Sequence, residues 1–302
     1  MKEANYDPDF AVGITAASST IGPIIPPSLP MVIYGVVAGT SIGQLFAAGL
    51  VPGLVMAVSL MLMVAYFARV RGYPRDQAFD LCVLWRSTQH AFLSLLTPVI
   101  IVGGILFGIF TPTEAAIAAC AYALLLGLVV YRTLTWKRFL RVSMDTIETT
   151  AVVLFIVAGA SIFAWILTSA RAPEQFASLV LQVSENPIVV LLLINLILLI
   201  VGCFLETVAA ITILVPVLLP IAVIVGVDPV HFGVIMILNL GLGLNTPPVG
   251  AVQFVACAVG RISVWEAMRS IWPFYLAGLI VLALVTYVPA ISLWLPSVFR
   301  GM

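Results

Sequence analysis

Between Asp9 and Arg69 the chain carries no Asp, Glu, Lys or Arg. That stretch is too long for one membrane crossing, which takes roughly 20 apolar residues. Further uncharged runs cover Ala91–Thr113, Ala115–Tyr131, Thr149–Ala170, Asn186–Leu205, Thr207–Val227, Val230–Gly260 and Ser270–Phe299. In hydrocarbon, backbone N–H and C=O groups must pair within their own segment, so these runs predict helices and not open sheet. Composition agrees: 63% of the 302 residues are apolar and 9% are charged. A soluble domain averages about 25% charged residues, and no soluble core of this size hides so much apolar surface. The reading is an all-α polytopic membrane protein.

The few charges set a topology. Arg69, Arg71 and Arg75 mark one basic loop, and Arg132, Lys137, Arg138 and Arg141 mark a second. The positive-inside rule places both in the cytoplasm, so two crossings separate them, at about 91–110 and 114–131. The turn between those crossings, Thr111-Pro112-Thr113-Glu114, reads as a capping box, which gives Glu114 a structural role. Helix 44–68 then runs inward to Arg69, leaving Gly39–Gly43 outside and Asp7–Asp9 inside. Helix 145–168 runs outward, with Asp145 and Glu148 at its positive end. Segments 75–90 and 171–186 are too polar to cross and predict helices lying in the interface. The zero net charge leaves no nucleic-acid footprint. Cys82, Cys120, Cys203 and Cys257 lack metal-site spacing and read as small packing residues. The polar start, Met1–Asp9, reads as no signal peptide.

An internal match explains the Gly and Pro punctuation. Asp7-Pro8 recurs as Asp228-Pro229, 221 residues later. At the same offset Gly22 matches Gly243, Pro26-Pro27 matches Pro247-Pro248, Gly39 matches Gly260 and Pro52 matches Pro273. Glycine and proline fix backbone shape, so the match is one of conformation. The topology above turns the copies, 7–54 and 228–275, upside down relative to each other. Inverted repeats with discontinuous helices are a signature of secondary transporters, with the site near the midplane.

Each break carries suitable chemistry. In Ser18-Ser19-Thr20-Ile21-Gly22-Pro23-Ile24-Ile25-Pro26-Pro27-Ser28 the prolines remove donors and push their neighbours out of helical geometry. Freed carbonyls and the Ser and Thr hydroxyls suit a cation, while the following half-helix offers N–H groups to an anion. The run Asn239 to Gly250, with Gly243, Asn245, Thr246 and Pro247-Pro248, has the same parts. Glu206 lies between the uncharged arms 186–205 and 207–227. It is a solvated turn residue if the arms cross fully, and at membrane depth if they form a re-entrant hairpin over 186–227. Asn195 reads as a helix–helix hydrogen bond. His90 and His231 read as interfacial.

Ala16 to Ser28 and Asn245-Thr246-Pro247-Pro248-Val249-Gly250 resemble the large membrane subunit of TRAP (tripartite ATP-independent periplasmic) transporters. Phe110 to Ala115 and Gly202 to Thr207 resemble that family too, and the likeness covers essentially the whole chain. The resemblance implies one integral transporter domain over 1–302, of elevator type, in the bacterial inner membrane. It implies sodium-coupled uptake of small organic acids, dicarboxylates or sialic-acid-like anions, with sodium as coupling ion and no other cofactor. Its implied partners are a small membrane subunit and a periplasmic substrate-binding protein. Carried over, it favours Thr20, Gly22, Gly202, Glu206, Thr207, Gly243 and Thr246 as sodium-site contributors, and the re-entrant form of the hairpin. Ser18, Ser19, Pro26, Pro27, Asn245 and Pro247 complete the candidate ion and substrate site. Family members carry a hairpin and several helices before the first Pro-Pro motif, so the chain is expected to be N-terminally truncated.

Three rival classes stay in view. A channel or proton-coupled carrier of another family would share the inverted scaffold. A non-transporting fragment is a second alternative. An intramembrane enzyme is disfavoured, because there is no HExxH motif and the two His residues lie far apart.

Overall fold

Local caps and prolines decide where most helices begin and end. The computed structural model describes residues 6–73, 80–171, 175, 186–247 and 250–299, all helical or connecting. Asp7 stands before Pro8, the first residue of α1 (Pro8–Ser19). Proline is suited to that position because its missing donor would be unused anyway. The Ser28 hydroxyl accepts the Met31 N–H at 3.3 Å and opens α2 (Leu29–Ala38), which ends at left-handed Gly39. Ser41 then caps α3 (Ile42–Val70), which runs through Pro52.

The chain divides into two compact units, one of residues up to 74 and from 159 on, the other of 75–158. The smaller unit holds α4 (Leu81–Leu106), α5 (Pro112–Leu125, ending in a wider π turn over Leu126–Val130) and the start of α6 (Trp136–Ser169). Here α4 packs on α5. Thr111 and Glu114 form the expected capping box, with the carboxylate accepting from the Thr111 N–H and hydroxyl at 2.8 Å each. The larger unit continues with α7 (Pro187–Gly202), α8 (Thr207–Ile224), α9 (Pro229–Gly243), α10 (Ala251–Gly260), α11 (Val264–Tyr287) and α12 (Ala290–Phe299). Among the described residues six helices are long and apolar enough to cross a membrane: α3, α4, α5 with its π turn, α6, α8 and α11. With helices throughout and no strand among the described residues, the chain is an all-α polytopic membrane protein.

Elements recur with the sequence match. Shifted by 221 residues, α1, α2 and α3 begin within a residue of α9, α10 and α11. The two sets also interlock: α1 packs on α10 and α11, while α9 packs on α2 and α3. Exchanging the sets maps each pairing onto the other. The centre is α9, where every residue from Val230 to Gly243 is buried. Helices α7, α8, α11 and α12 add to its cover.

Four expectations change. Residues 81–90 are not a separate interfacial helix: Asp80 caps Cys82 at 2.8 Å, and Leu81 to Leu106 is one continuous helix that includes exposed His90, while 75–79 lie outside the described residues. Lys137, Arg138 and Arg141 do not lie in a loop, because α6 starts at Trp136. His231 is not interfacial. It is 2% exposed, with Nε2 3.3 Å from the Thr286 carbonyl, because α9 is enclosed on all sides. Cys203 and Cys257 are buried packing residues, but Cys82 and Cys120 are exposed. Most of 171–186 lies outside the described residues, and so does Pro248.

Asp7 and Asp9 do lie at the same end of the molecule as the first basic cluster. The Arg71 guanidinium is 3.2 Å from Asp7 and 3.4 Å from Asp9, and stacks over Phe10 and Phe67 at 5.5 and 5.8 Å. The Tyr73 hydroxyl donates to Asp7 at 2.7 Å, and burial together with that bond raises its pKa. This latch ties the start of α1 to the end of α3. Arg71→Ala is expected to lower stability by about 1–2 kcal/mol, since it removes a cation–π contact along with exposed ion pairs. The midpoint of thermal unfolding in detergent measures it, and an unchanged midpoint would refute the latch.

Candidate functional site

The first break follows from α1 running out of helical hydrogen bonds. The Ser19 and Thr20 hydroxyls donate back to the Ala16 and Ala17 carbonyls at 2.6 and 2.7 Å. Ile21 and Gly22 N–H groups close tight turns on Ser18 and Ser19. The chain then passes Pro23 and a cis peptide between Pro26 and Pro27, and the Ser28 hydroxyl bonds the Pro23 carbonyl. No donor among the described residues closes on the Thr20 carbonyl, which faces Gly241 of α9. Those two steps leave a free oxygen aimed at the second discontinuous helix.

The second break is built against a helical hairpin, α7–turn–α8. Its tip, Gly202 to Glu206, meets the end of α9. A Cβ built on Gly243 would lie 2.7 Å from the Gly202 Cα and carbonyl carbon, so the two backbones touch with no side chain between them. Glycine at both positions is what allows that approach. The Gly250 N–H then donates to the Cys203 carbonyl at 3.3 Å, tying the far side of the break to the same tip. Gly250 itself is left-handed, with φ 45°.

Glu206 caps α8. Its Oε2 accepts the Val208 and Ala209 N–H groups at 2.8 and 3.2 Å, and the side chain is exposed to a cleft. That cleft, of about 850 Å³, is lined on one side by α1 and on the other by α10, with Ser19, Thr15 and Glu206 as its polar members. The lining is otherwise apolar. In the interlocked arrangement it runs along the same two-helix face of α1 and α10 that the hairpin covers on α9 and α2.

Several buried polar groups at the junction lack partners. Among the described residues Asn245, 4% exposed, has no hydrogen bond at either Oδ1 or Nδ2. Thr207 Oγ1, beside the hairpin tip, has none among them either. Buried polar atoms are normally paired, so each orphan calls for a ligand, a water or an ion. A void of about 10 Å³ beside Asn245 is lined also by Thr20 and Tyr275. It is the size of one water or a dehydrated small cation. Tyr275 borders that void, and the Thr246 hydroxyl donates to the Leu242 carbonyl at 2.9 Å.

Thus Thr20, Gly202, Thr207, Gly243, Asn245 and Thr246 fall on one junction of both breaks and the tip, while Ser19 and Glu206 share the adjoining cleft. Pro247 follows Thr246 in the second break. Ser18 lies instead in a shallow groove against α3. Gly22 and Pro27 are exposed and Pro26 is buried, without a described contact to the second break. Sequence reading missed Tyr275 and the Gly250–Cys203 tie. Nothing local marks Tyr275, one aromatic among many on α11.

Behind the tip, a buried network holds the hairpin in register. Asn239 Nδ2 donates to Asn195 Oδ1 at 2.7 Å and to the Asn195 carbonyl at 3.0 Å. Asn195 Nδ2 donates in turn to Thr286 Oγ1 at 3.1 Å. Asn195 therefore has the helix–helix role expected of it, joining α7 to α9 and α11.

Residues 1–291 match the family described as tripartite ATP-independent periplasmic transporter, DctM component. The chain is 49% identical over 301 residues to the sialic acid TRAP transporter large permease protein of Vibrio cholerae, covering 100% of this chain and 70% of that one. It is 40% identical over 297 residues to the C4-dicarboxylate TRAP transporter large permease protein of Pseudomonas aeruginosa, covering 98% and 70%. Against the isethionate TRAP transporter permease protein of Oleidesulfovibrio alaskensis it is 42% identical over 304 residues, covering 100% of this chain and 47% of that one.

Proposed function

The chain belongs to the DctM-component family of tripartite ATP-independent periplasmic transporters, a family of permeases and not of enzymes, and from that premise we propose that it moves small organic acids across the bacterial inner membrane in symport with sodium. The observation that carries the reading is the hairpin tip seated on the second break, where Thr207 Oγ1 and the Asn245 amide have no partner among the described residues. Oxygen donors suit a hard cation, and Thr20, Thr207, Asn245 and Thr246 offer hydroxyl, amide and carbonyl oxygens. The donor chemistry therefore fits sodium. These residues would hold the ion, and its charge would supply the attraction for a carboxylate.

The anion would sit between the breaks, near the half-helix N-termini of α2 and α10. No Lys or Arg lies between Asp9 and Arg69 or between Val230 and Gly260, so hydroxyls, dipoles and the bound cation must serve. The relatives' names favour a carboxylate such as a sialic acid or a C4-dicarboxylate. The first arm, of 16 residues, rises about 24 Å. That is short of a hydrocarbon core of about 30 Å and supports a re-entrant hairpin. The interlocking of the two copies supports an inverted repeat, on which the junction would move as an elevator against fixed helices. A small membrane subunit and a periplasmic binding protein complete the system.

The test is uptake of labelled sialic acid and of succinate into proteoliposomes holding the chain with its small membrane subunit, fed by the loaded binding protein. An inward sodium gradient should drive uptake, and Asn245→Ala should lower the sodium response more than the substrate response. Uptake indifferent to sodium but driven by a proton gradient would overturn the coupling. Single-channel current without saturation would overturn the carrier.

A further inference from the structure

On α11, Trp265, Met268, Arg269 and Trp272 follow the spacing i, i+3, i+4, i+7 and so form one stripe. The stripe lines a groove of about 320 Å³. Its two indoles are 68% and 53% exposed, and Trp272 stacks on Tyr275 at 5.7 Å, which fixes its ring. The Arg269 guanidinium, also exposed, makes no ion pair or hydrogen bond among the described residues. The nearest acid on the helix, Glu266, is occupied: its carboxylate accepts from the Ser263 N–H and hydroxyl at 3.1 and 2.9 Å. The groove therefore presents a guanidinium without a direct partner among the described residues, between two aromatic walls.

Its place in the fold says what meets it. Helix α11 is long and apolar enough to span the membrane, and the stripe occupies its first turns, next to Arg261. Tryptophan concentrates at the headgroup level, and Arg-rich ends face the cytoplasm. The first copy has nothing comparable: the positions 221 residues earlier are Gln44, Ala47, Ala48 and Val51. The stripe is thus an addition to the repeat and not part of its packing plan.

We propose that this groove binds the headgroup of an anionic phospholipid of the cytoplasmic leaflet, its phosphate on Arg269 and its glycerol and upper acyl chain between Trp265 and Trp272. Charge complementarity selects an anionic over a zwitterionic lipid, and the concave aromatic walls select a lipid over free phosphate. A bound lipid would anchor the start of α11, the helix that supplies Tyr275 to the junction.

The experiment is retention of phosphatidylglycerol by the purified chain, counted by native mass spectrometry after extraction from nanodiscs of phosphatidylcholine and phosphatidylglycerol. Wild type should retain phosphatidylglycerol over phosphatidylcholine. Arg269→Gln should lose about fivefold in that preference, the worth of one cation near a lipid surface. Trp265→Ala with Trp272→Ala should lower retention of both lipids, and Arg132→Gln, outside the groove, should change neither. Inorganic phosphate at millimolar concentration should not displace the lipid. Unchanged preference in Arg269→Gln at an unchanged unfolding temperature would overturn the proposal. So would a chain that dimerises through this stripe and retains no lipid there.

Discussion

Gly243→Ala abolishes coupled uptake, with at least a tenfold loss, and costs about 1–3 kcal/mol of stability. The new methyl would lie 2.7 Å from two backbone atoms of Gly202. Carbon atoms rest at about 3.5–4.0 Å, and a backbone cannot rotate aside as a side chain can. The hairpin tip must therefore lift off the break, and the tie from Gly250 to Cys203 opens with it. Gly202→Ala is expected to act in the same direction but less strongly, because its nearest atoms, at Gly243 and Leu240, lie at 3.2 and 3.3 Å. Gly103→Ala serves as the control, since nothing lies within 4 Å of that position. It should leave uptake unchanged and stability level or slightly higher. Wild-type uptake by Gly243→Ala would mean that contact between tip and break is dispensable.

Asn239→Leu carries the second large effect, about 1–3 kcal/mol with a loss of sodium response. Asn239 is 0% exposed, and its amide donates to both the side-chain and the main-chain oxygen of Asn195. Removing it strands an oxygen on α7 with no water to replace the donor. Interhelical hydrogen bonds in membranes average less than this, near 0.6 kcal/mol, so the upper part of the range depends on the stranded Asn195. The double variant Asn195→Leu with Asn239→Leu separates the terms. Removing both partners should cost less than the two single variants added together. Simple additivity in unfolding titrations would show that the two amides do not act as a pair.

The element boundaries that could be read directly belong to residues whose effect is local. Asp7-Pro8, Thr111-Pro112, Asn186-Pro187 and Asp228-Pro229 each start a helix within one turn of themselves, and Gly39 stops one. The start of α4 was not legible for a different reason. Arg86, Gln89 and His90 make 81–90 polar enough to look like a surface helix, yet its helical periodicity continues without interruption into the apolar stretch. Hydropathy separates what hydrogen bonding joins. The basic start of α6 is obscured in the same way, because Lys137, Arg138 and Arg141 suit a loop and an exposed helical turn equally well.

The candidate site divides along a similar line. Thr20, Gly243, Asn245 and Thr246 stood out because they accompany prolines that break their own helix. His231 did not reveal its burial, nor Tyr275 its place at the void beside Asn245, since each depends on helices far away in sequence. Glu206 was left open between a turn and a buried position. It proves to be a helix cap that also borders the cleft, a role that needs both the α8 N-terminus and the neighbouring α1.

By itself, then, the sequence determined the membrane class, the two broken helices and their repetition at one offset, because hydropathy, proline and glycine act within a turn or two of where they stand. Only the tertiary structure decided that Gly202 meets Gly243, that Asn195 and Asn239 pair, and that Arg269 lies between two indoles with no ion pair among the described residues. Those outcomes rest on contacts between segments tens to hundreds of residues apart, whose geometry is set by the packing of all the helices together.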